Sequence, residues 1–303
     1  MGSNEPSADQ VEVAAGQPAI VPAMTSSGPG ARRDVGDAGQ AEAQAETQGE
    51  PRLVDLYELW FQAVIANTPE LRREAFRLRY QVYCIENPFE DPADNPNEEE
   101  SDAYDAHSAH GLLIHRPTGM VAGTVRLVLA EPDALDDSFA LQRVCREKMI
   151  FDHKQFPVLH MAEVSRFSIS KGFRKRRTDG RYPDEHAPEP REGGEERRVI
   201  PHMTLGLIES LVRMSVQHRI TYWCAVMEPT LLRLLSRLGI YFDPIGPLVD
   251  YHGRRQPCYI RLSTLLTRVA RERPDVWEVL TDRGRHWDAL LELENTHHKP
   301  RRS

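Results

Sequence analysis

Several features are scarce in this 303-residue chain, and each scarcity removes a class of protein. Only four cysteines occur, Cys84, Cys145, Cys224 and Cys258, and no two form a C-x-x-C pair. Zinc knuckles and dithiol redox motifs are therefore not expected; free, mostly buried thiols in a reducing compartment are. No apolar run approaches the roughly 18 residues that a membrane-spanning helix needs, so no membrane span is expected. The N-terminal 30 residues lack a basic start followed by an apolar core, which predicts no secretory signal and a cytoplasmic protein. There is no Gly-rich phosphate loop, Walker lysine or Gly-x-Ser-x-Gly elbow, which sets aside several nucleotide-binding and hydrolase classes. Positive charge is not in excess either: the formal net charge is -8. Residues 1–50 hold two Arg against eight Asp and Glu, so the remainder is nearly balanced and no nucleic-acid partner is expected.

The chain divides by composition. Residues 1–50 are rich in Ala, Gly, Gln, Pro, Ser and Glu and poor in large apolar side chains. Such a segment cannot bury enough surface to offset its ordering entropy, which predicts a disordered tail. A folded domain is expected over 51–263, interrupted by a mobile basic and polar insertion at about 170–198, with a helical extension and tail over 264–303. No pattern supports a metal site: neither His297 and His298 nor His107 and His110 have Cys or acids at ligand spacing.

Local signals order the elements. Thr68-Pro69-Glu70 is a helix start, followed by a stripe at Leu71, Ala75, Leu78 and Val82, with Arg79 and Tyr83 near its end. Residues 86–105 carry nine acids, three prolines and no base, an irregular acidic loop in which Asp102 and Asp105 flank Tyr104. Leu112–His115 and Val121–Leu129 read as strands joined at Pro117-Thr118-Gly119. A connection holding Phe139 and Leu141 follows, then the apolar run Leu159–Ile169. A helix over 201–218, a strand over 222–227, a helix opened by Glu228-Pro229 and stopped at Gly239, and a strand over 258–262 come next. Residues 263–293 read as two or three short helices broken at Pro274 and Gly284. This order predicts an α/β fold with a mixed, mostly antiparallel central sheet flanked by helices, plus extra C-terminal helices.

The stretch Leu159–Ile169 raises the functional question. One acid, Glu163, and one base, Arg166, interrupt an apolar run that should lie mid-sheet, where unpaired charge is expensive. They form either a structural bridge or a working site. On a regular strand they have opposite parity, so they share a face only if a bulge re-aims one of them.

Four motifs then resemble one family: Leu78-Arg-Tyr-Gln-Val-Tyr83, Glu100-Ser-Asp-Ala-Tyr-Asp105, Gly123-Thr-Val-Arg-Leu127 and Glu163-Val-Ser-Arg-Phe167. In this order they resemble acyl-homoserine lactone (autoinducer) synthases, a branch of the GCN5-related N-acyltransferase (GNAT) superfamily. The resemblance covers about Leu71–Leu262. The acidic loop, the basic excursion and the C-terminal helices look more like the acyltransferases associated with the PEP-CTERM/exosortase system and related N-acyl amino acid synthases. The resemblance implies transfer of a fatty acyl group from acyl carrier protein, or from acyl-CoA, to the amine of a small amino-acid-like acceptor. It implies no permanently bound cofactor. Carried over by residue, it makes Glu163 and Arg166 catalytic, with Arg79, Tyr83, Phe89, Asp102, Asp105, Arg126 and Phe139 in substrate binding. Tyr83 stands where phenylalanine is usual and Phe89 where tryptophan is common. The family's phosphate-binding turn of acetyl-CoA-using relatives is missing before the long helix.

Amide formation from a thioester needs a neutral amine, a proton acceptor and donors for the developing oxyanion. Glu163 is the candidate base, and the strand backbone the candidate oxyanion donor. The basic run from Lys171 to Arg181, with Arg174, Lys175, Arg176 and Arg177, suits docking of an acidic carrier protein. The alternatives are an ion-pair network that only holds the loop, an acyl-homoserine lactone synthase proper, and a non-catalytic binding module on the same fold.

Overall fold

The computed structural model describes residues 51–174 and 199–297. The expected N-terminal tail and most of the insertion, including Lys175, Arg176 and Arg177, lie outside the described residues.

The chain enters through α1 (Leu53–Trp60) and β1 (Phe61–Ile65), both absent from the sequence reading. Helix α2 (Pro69–Tyr80) starts as its signal predicts, with the Thr68 hydroxyl accepting from the Leu71 N–H at 3.3 Å. It does not end at Tyr80. A π-helical turn, Gln81–Glu86, carries the chain on and includes Tyr83. Strands β2 (Ser108–His115) and β3 (Met120–Leu129) form a hairpin whose turn needs Gly119 at φ +67°. The short helix α3 (Ala140–Val144) lies in the connection to β4 (Met161–Ile169). Then come α4 (Lys171–Arg174), α5 (Val199–Gln217), β5 (Tyr222–Met227) and α6 (Pro229–Arg237). Two-residue strands β6 (Asp243–Pro244) and β7 (Val249–Asp250) precede β8 (Arg254–Arg261), which starts four residues earlier than the apolar pattern suggested. Helices α7 (Leu262–Glu272), α8 (Pro274–Leu280) and α9 (Arg285–His297) break at Pro274 and Gly284 as expected.

Among the described residues the strands run in the order β1-β2-β3-β4-β5-β8-β6, with β7 on β8. Every pair is antiparallel except β4–β5. Helices cover both faces. Strand alternation sends Leu113, Val125, Leu127, Ala162 and Val164 into a core beneath α5, where Leu207, Leu211 and Met214 meet them. Their neighbours Leu112, Val128 and Met161 point the other way, toward α2 and the 130–160 connection. Two departures from regular pairing position the site. Strands β4 and β5 pair only over Met161–Glu163 and Tyr222–Cys224, then separate. On the other edge of β4, Thr124 pairs with Ser168 and Arg126 with Ser165, so two residues of β4 oppose one of β3. That is a β-bulge at Arg166 and Phe167, with Arg166 in the left-handed region at φ +49°.

Candidate active site

The bulge answers the parity question. Glu163 pairs with Val128 and Ser165 with Arg126, so these four share the face that carries Val128 and Met161. A regular strand would turn Arg166 to the opposite face, under α5. With the extra residue it returns to the side of Glu163 and Arg126, where its guanidinium meets Glu100 at 2.8 Å and Asp102 at 3.1 Å. The positive φ is the local cost of that turn, and the surrounding ion pairs hold it.

Three arginines and three acids interlock behind and beside the cavity. Arg79 is fully buried; its Nε donates to Glu100 and its two terminal nitrogens grip Asp105 at 2.7 and 3.0 Å. Arg126 donates to Asp102 at 2.6 Å, to Asp105 at 2.9 Å and to the Ser165 hydroxyl at 2.9 Å. Arg166 bridges Glu100 and Asp102 and reaches Glu90 at 3.3 Å. Burial alone would push Asp105 up, but Arg79 and Arg126 outweigh it and hold that carboxyl well below the usual range. Glu100 is lowered in the same way, against its own burial, by Arg79 and Arg166. Asp102 and Asp105 also close a capping box on the turn Ala103–His107, which starts β2. His110 sits 3.6 Å from Asp105, yet burial pushes its pKa down to about 4, so it is neutral at pH 7. Aromatic rings line the outer side: the Arg166 guanidinium lies 5.1 Å from the Tyr83 ring, and Arg126 lies 5.8 Å from Tyr104.

Glu163 stands apart from this network. It is buried, and its two oxygens accept from the backbone N–H groups of Ala140 at 2.7 Å and Leu141 at 3.2 Å, the opening residues of α3. Burial drives its pKa up to about 7, opposed by the two amides and Arg126 and assisted by Asp102. Each carboxylate oxygen keeps a further lone pair. The phenol of Tyr104, also raised by burial to about 12, is protonated at neutral pH; its hydroxyl is buried and has no hydrogen-bond partner among the described residues.

Glu163 lines a cavity of about 500 Å³. One wall is charged: Asp102, Arg126, Glu163, Arg166 and Glu90. Another is apolar and comes from the α5 side: Val164, Phe167, Leu231 and Leu234, with Thr204. Residues from both faces of the sheet line one space because β4 and β5 part beyond Glu163 and Cys224. From Val164 onward, the β4 edge facing β5 has no ladder partner among the described residues. This is where the strand backbone can offer an N–H to a ligand.

The sequence-predicted residues divide accordingly. Glu163, Arg166, Arg126, Asp102, Tyr83 and Phe89 all line the cavity. Arg79 and Asp105 do not; they stand one layer back and hold Glu100, Asp102 and Arg126 in place. Phe139, expected in substrate binding, does not line the cavity either. It is fully buried in the core with Leu141, Ile150 and Phe156, and it directly precedes the two amides that hold Glu163. Lys171 is exposed in α4, and Arg174 ends that helix. Glu100 opens one of the four motifs, but sequence reasoning gave it no role; as the last of three glutamates it carries no local sign that Arg79 and Arg166 share it. Sequence reasoning also missed Tyr251, His252 and Arg255, which reach the cavity from the β7–β8 turn; the only local signal there is Gly253, at φ +97°. No group of three or more metal-ligating side chains occurs among the described residues, and no described helix is long and apolar enough to cross a membrane.

The model of the Acetyltransferase (GNAT) domain matches residues 78–181. The domain match and the mixed sheet define the class, an acyltransferase on a GNAT-type fold with extra C-terminal helices. No curated protein matches the chain. The chain is similar to the crystal structure of the acyl-homoserine lactone (AHL) synthase LasI, at 21% identity over 67% of this chain and 90% of that one, with a TM-score of 0.44. It is also similar to the CoA-dependent acyl-homoserine lactone synthase BjaI with SAM and isopentyl-CoA, at 17% identity, 78% and 99% coverage and a TM-score of 0.45. A third likeness is to FeeM, an N-acyl amino acid synthase from uncultured soil microbes, at 15% identity, 69% and 94% coverage and a TM-score of 0.41.

Proposed function

We propose that this chain transfers a fatty acyl group from a thioester, carried by acyl carrier protein or CoA, to the amine of a small amino-acid-like acceptor. The observation that carries the reading is Glu163: a buried carboxyl with a pKa of about 7, lining a cavity that is charged on one wall and apolar on another. The acceptor enters as an ammonium ion. Glu163 takes one proton from it, the freed nitrogen pair attacks the thioester carbonyl carbon, and the carbonyl π pair moves onto oxygen. The unpaired β4 edge beyond Val164 supplies the oxyanion donor. Collapse re-forms the carbonyl and breaks the C–S bond. The nitrogen's remaining surplus proton passes to the departing thiolate, and Glu163 releases the proton it took to solvent, which restores its carboxylate. Tyr83 and Phe89 shape the acceptor end, and the arginine–acid lattice holds the loop that carries Asp102.

Within this chemistry the long acidic loop, the basic excursion and the C-terminal helices favour the N-acyl amino acid synthase-like, PEP-CTERM/exosortase-associated branch over an acyl-homoserine lactone synthase proper, with action in the cytoplasm. The basic run from Lys171 through Arg174, Lys175, Arg176 and Arg177 is the proposed docking surface for the carrier protein. Incubation with acyl carrier proteins and acyl-CoAs of several chain lengths, a pool of amino acids and S-adenosylmethionine, followed by product mass, is the test. An N-acyl amino acid is the expected product. A lactone moves the assignment to the other branch, and thioester hydrolysis alone, or no turnover, overturns acyl transfer in favour of a binding module.

A further inference from the structure

Three guanidinium groups line the cavity, Arg126, Arg166 and Arg255, and they are not equivalent. Arg126 and Arg166 are engaged through several nitrogens with Asp102, Asp105, Glu100 and Ser165 at 2.6–3.2 Å. Arg255 makes two long contacts, both through one terminal nitrogen: 3.3 Å to the Glu228 carboxylate and 3.4 Å to the His252 carbonyl. Its Nε is buried and has no hydrogen-bond partner among the described residues. A guanidinium only donates, so the group that completes it is an acceptor, and its fork suits a carboxylate.

Position supports the same conclusion. The β5–β8 register pairs Met227 with Gln256, which sets the next two residues, Glu228 and Arg255, side by side at the cavity. The Glu228 side chain is about half exposed, so its bond to Arg255 is readily exchanged. Arg255 belongs to the hairpin whose tip carries Tyr251 and His252. Tyr251 lies close enough to Glu163 for that carboxyl to raise its pKa, after burial as the larger cause. His252 meets the Phe89 ring at 6.4 Å, so hairpin and acidic loop touch at the cavity. One space therefore holds the Glu163 carboxyl, which makes no ion pair among the described residues, and a cation with an open donor.

We infer that Arg255 anchors a carboxylate of the acceptor, so that the protein selects α-amino acids over the matching amides and amines. This rests on the proposed acyl transfer. The bound carboxylate takes the open Nε–H and a terminal N–H together, displacing Glu228.

The test compares leucine, leucinamide and 3-methylbutylamine as acceptors in the wild-type protein and in Arg255→Gln. The wild type is expected to favour the acid over the amide by about 10- to 100-fold in kcat/KM, mainly through KM, as a charge-assisted pair implies. Arg255→Gln should lower that ratio at least about tenfold. Thermal melting confirms that the variant is folded. A ratio near one in the wild type, or one unchanged in the variant, overturns the anchor. Donors separate the other source of an anion. Acyl-N-acetylcysteamine lacks the phosphates of acyl-CoA, and a defect confined to acyl-CoA assigns Arg255 to the donor and overturns the proposal. Calorimetric binding of N-dodecanoyl-leucine against N-dodecanoyl-leucinamide keeps the two claims distinct. If no acceptor is acylated yet the acid still binds more tightly in an Arg255-dependent manner, acyl transfer fails and the anchor stands; equal binding refutes the anchor.

Discussion

Replacing Glu163 by glutamine tests the base and the packing around it in one experiment. The carboxyl titrates near 7 in the folded protein and near 4.5 as a free side chain, so the native state holds its proton more tightly. The sign follows. For an acid raised on folding, stability is greatest below the unfolded pKa and falls as pH rises through the window from about 4.5 to 7. Two and a half pKa units correspond to roughly 3 kcal/mol lost by pH 8. Glutamine removes that penalty but introduces another. Its carbonyl oxygen accepts one of the two N–H groups that Glu163 holds, from Ala140 and Leu141, while its NH2 faces the second. A buried donor left open costs about 1–3 kcal/mol. The two effects should offset to within about 2 kcal/mol at pH 8 and leave Glu163→Gln less stable by about 1–3 kcal/mol at pH 4, as read by urea melts. Activity should behave differently. Wild-type kcat/KM, followed by thiol release, should rise about tenfold per pH unit below 7 and level off above it, because the base must be ionised. Glu163→Gln should lose about 10²- to 10⁴-fold and show no inflection near 7. A glutamine variant that keeps more than about a tenth of wild-type turnover, or the same inflection, would show that Glu163 only caps α3.

Arg79→Met should be severely destabilising, by about 3–5 kcal/mol at pH 7, because it leaves Glu100 and Asp105 short of their buried partner. Both acids are lowered on folding, so the stability they contribute is present above pH ~4 and is lost as pH falls; the wild-type advantage in urea midpoint should shrink below pH ~4. Glu209 is a second carboxyl that burial raises to about 7, with the Tyr57 hydroxyl donating to it at 2.9 Å. Glu209→Gln keeps an acceptor for that hydroxyl, so it should raise the pH 8 melting midpoint by an amount worth up to about 3 kcal/mol and change little at pH 4. Gly123 lies where an added Cβ would sit 2.9 Å from the Ser168 backbone carbonyl, next to the bulge. Gly123→Ala should cost about 1–3 kcal/mol in a chemical melt and shift β4, lowering kcat/KM along with stability.

The order of elements and most of the polar site were legible in the sequence because their signals are local. Thr68-Pro69 opens α2 whatever surrounds it, and Gly239, at φ +79°, stops α6 because a left-handed residue there favours glycine. The apolar runs of β3, β4 and β5 announce buried strands, and a charge inside such a run marks Arg126, Glu163 and Arg166 without reference to any neighbour. Strand β1 left no such mark: five residues following directly on α1 read as more of the same apolar stretch.

The remaining features depend on residues far apart in the chain. One extra residue of β4 against β3 turns Arg166 to the face of Glu163, and register of that kind exists only once two strands are paired. Glu100 becomes the shared partner of Arg79 and Arg166 because α2, the acidic loop and β4 converge there; in the sequence it is one glutamate among three. Phe139, aromatic and suitably placed by sequence, turns into the core, while the two amides after it turn toward Glu163. The pKa of that carboxyl is set by how much water the fold removes against how many donors it supplies, a balance that has no value until the chain has packed.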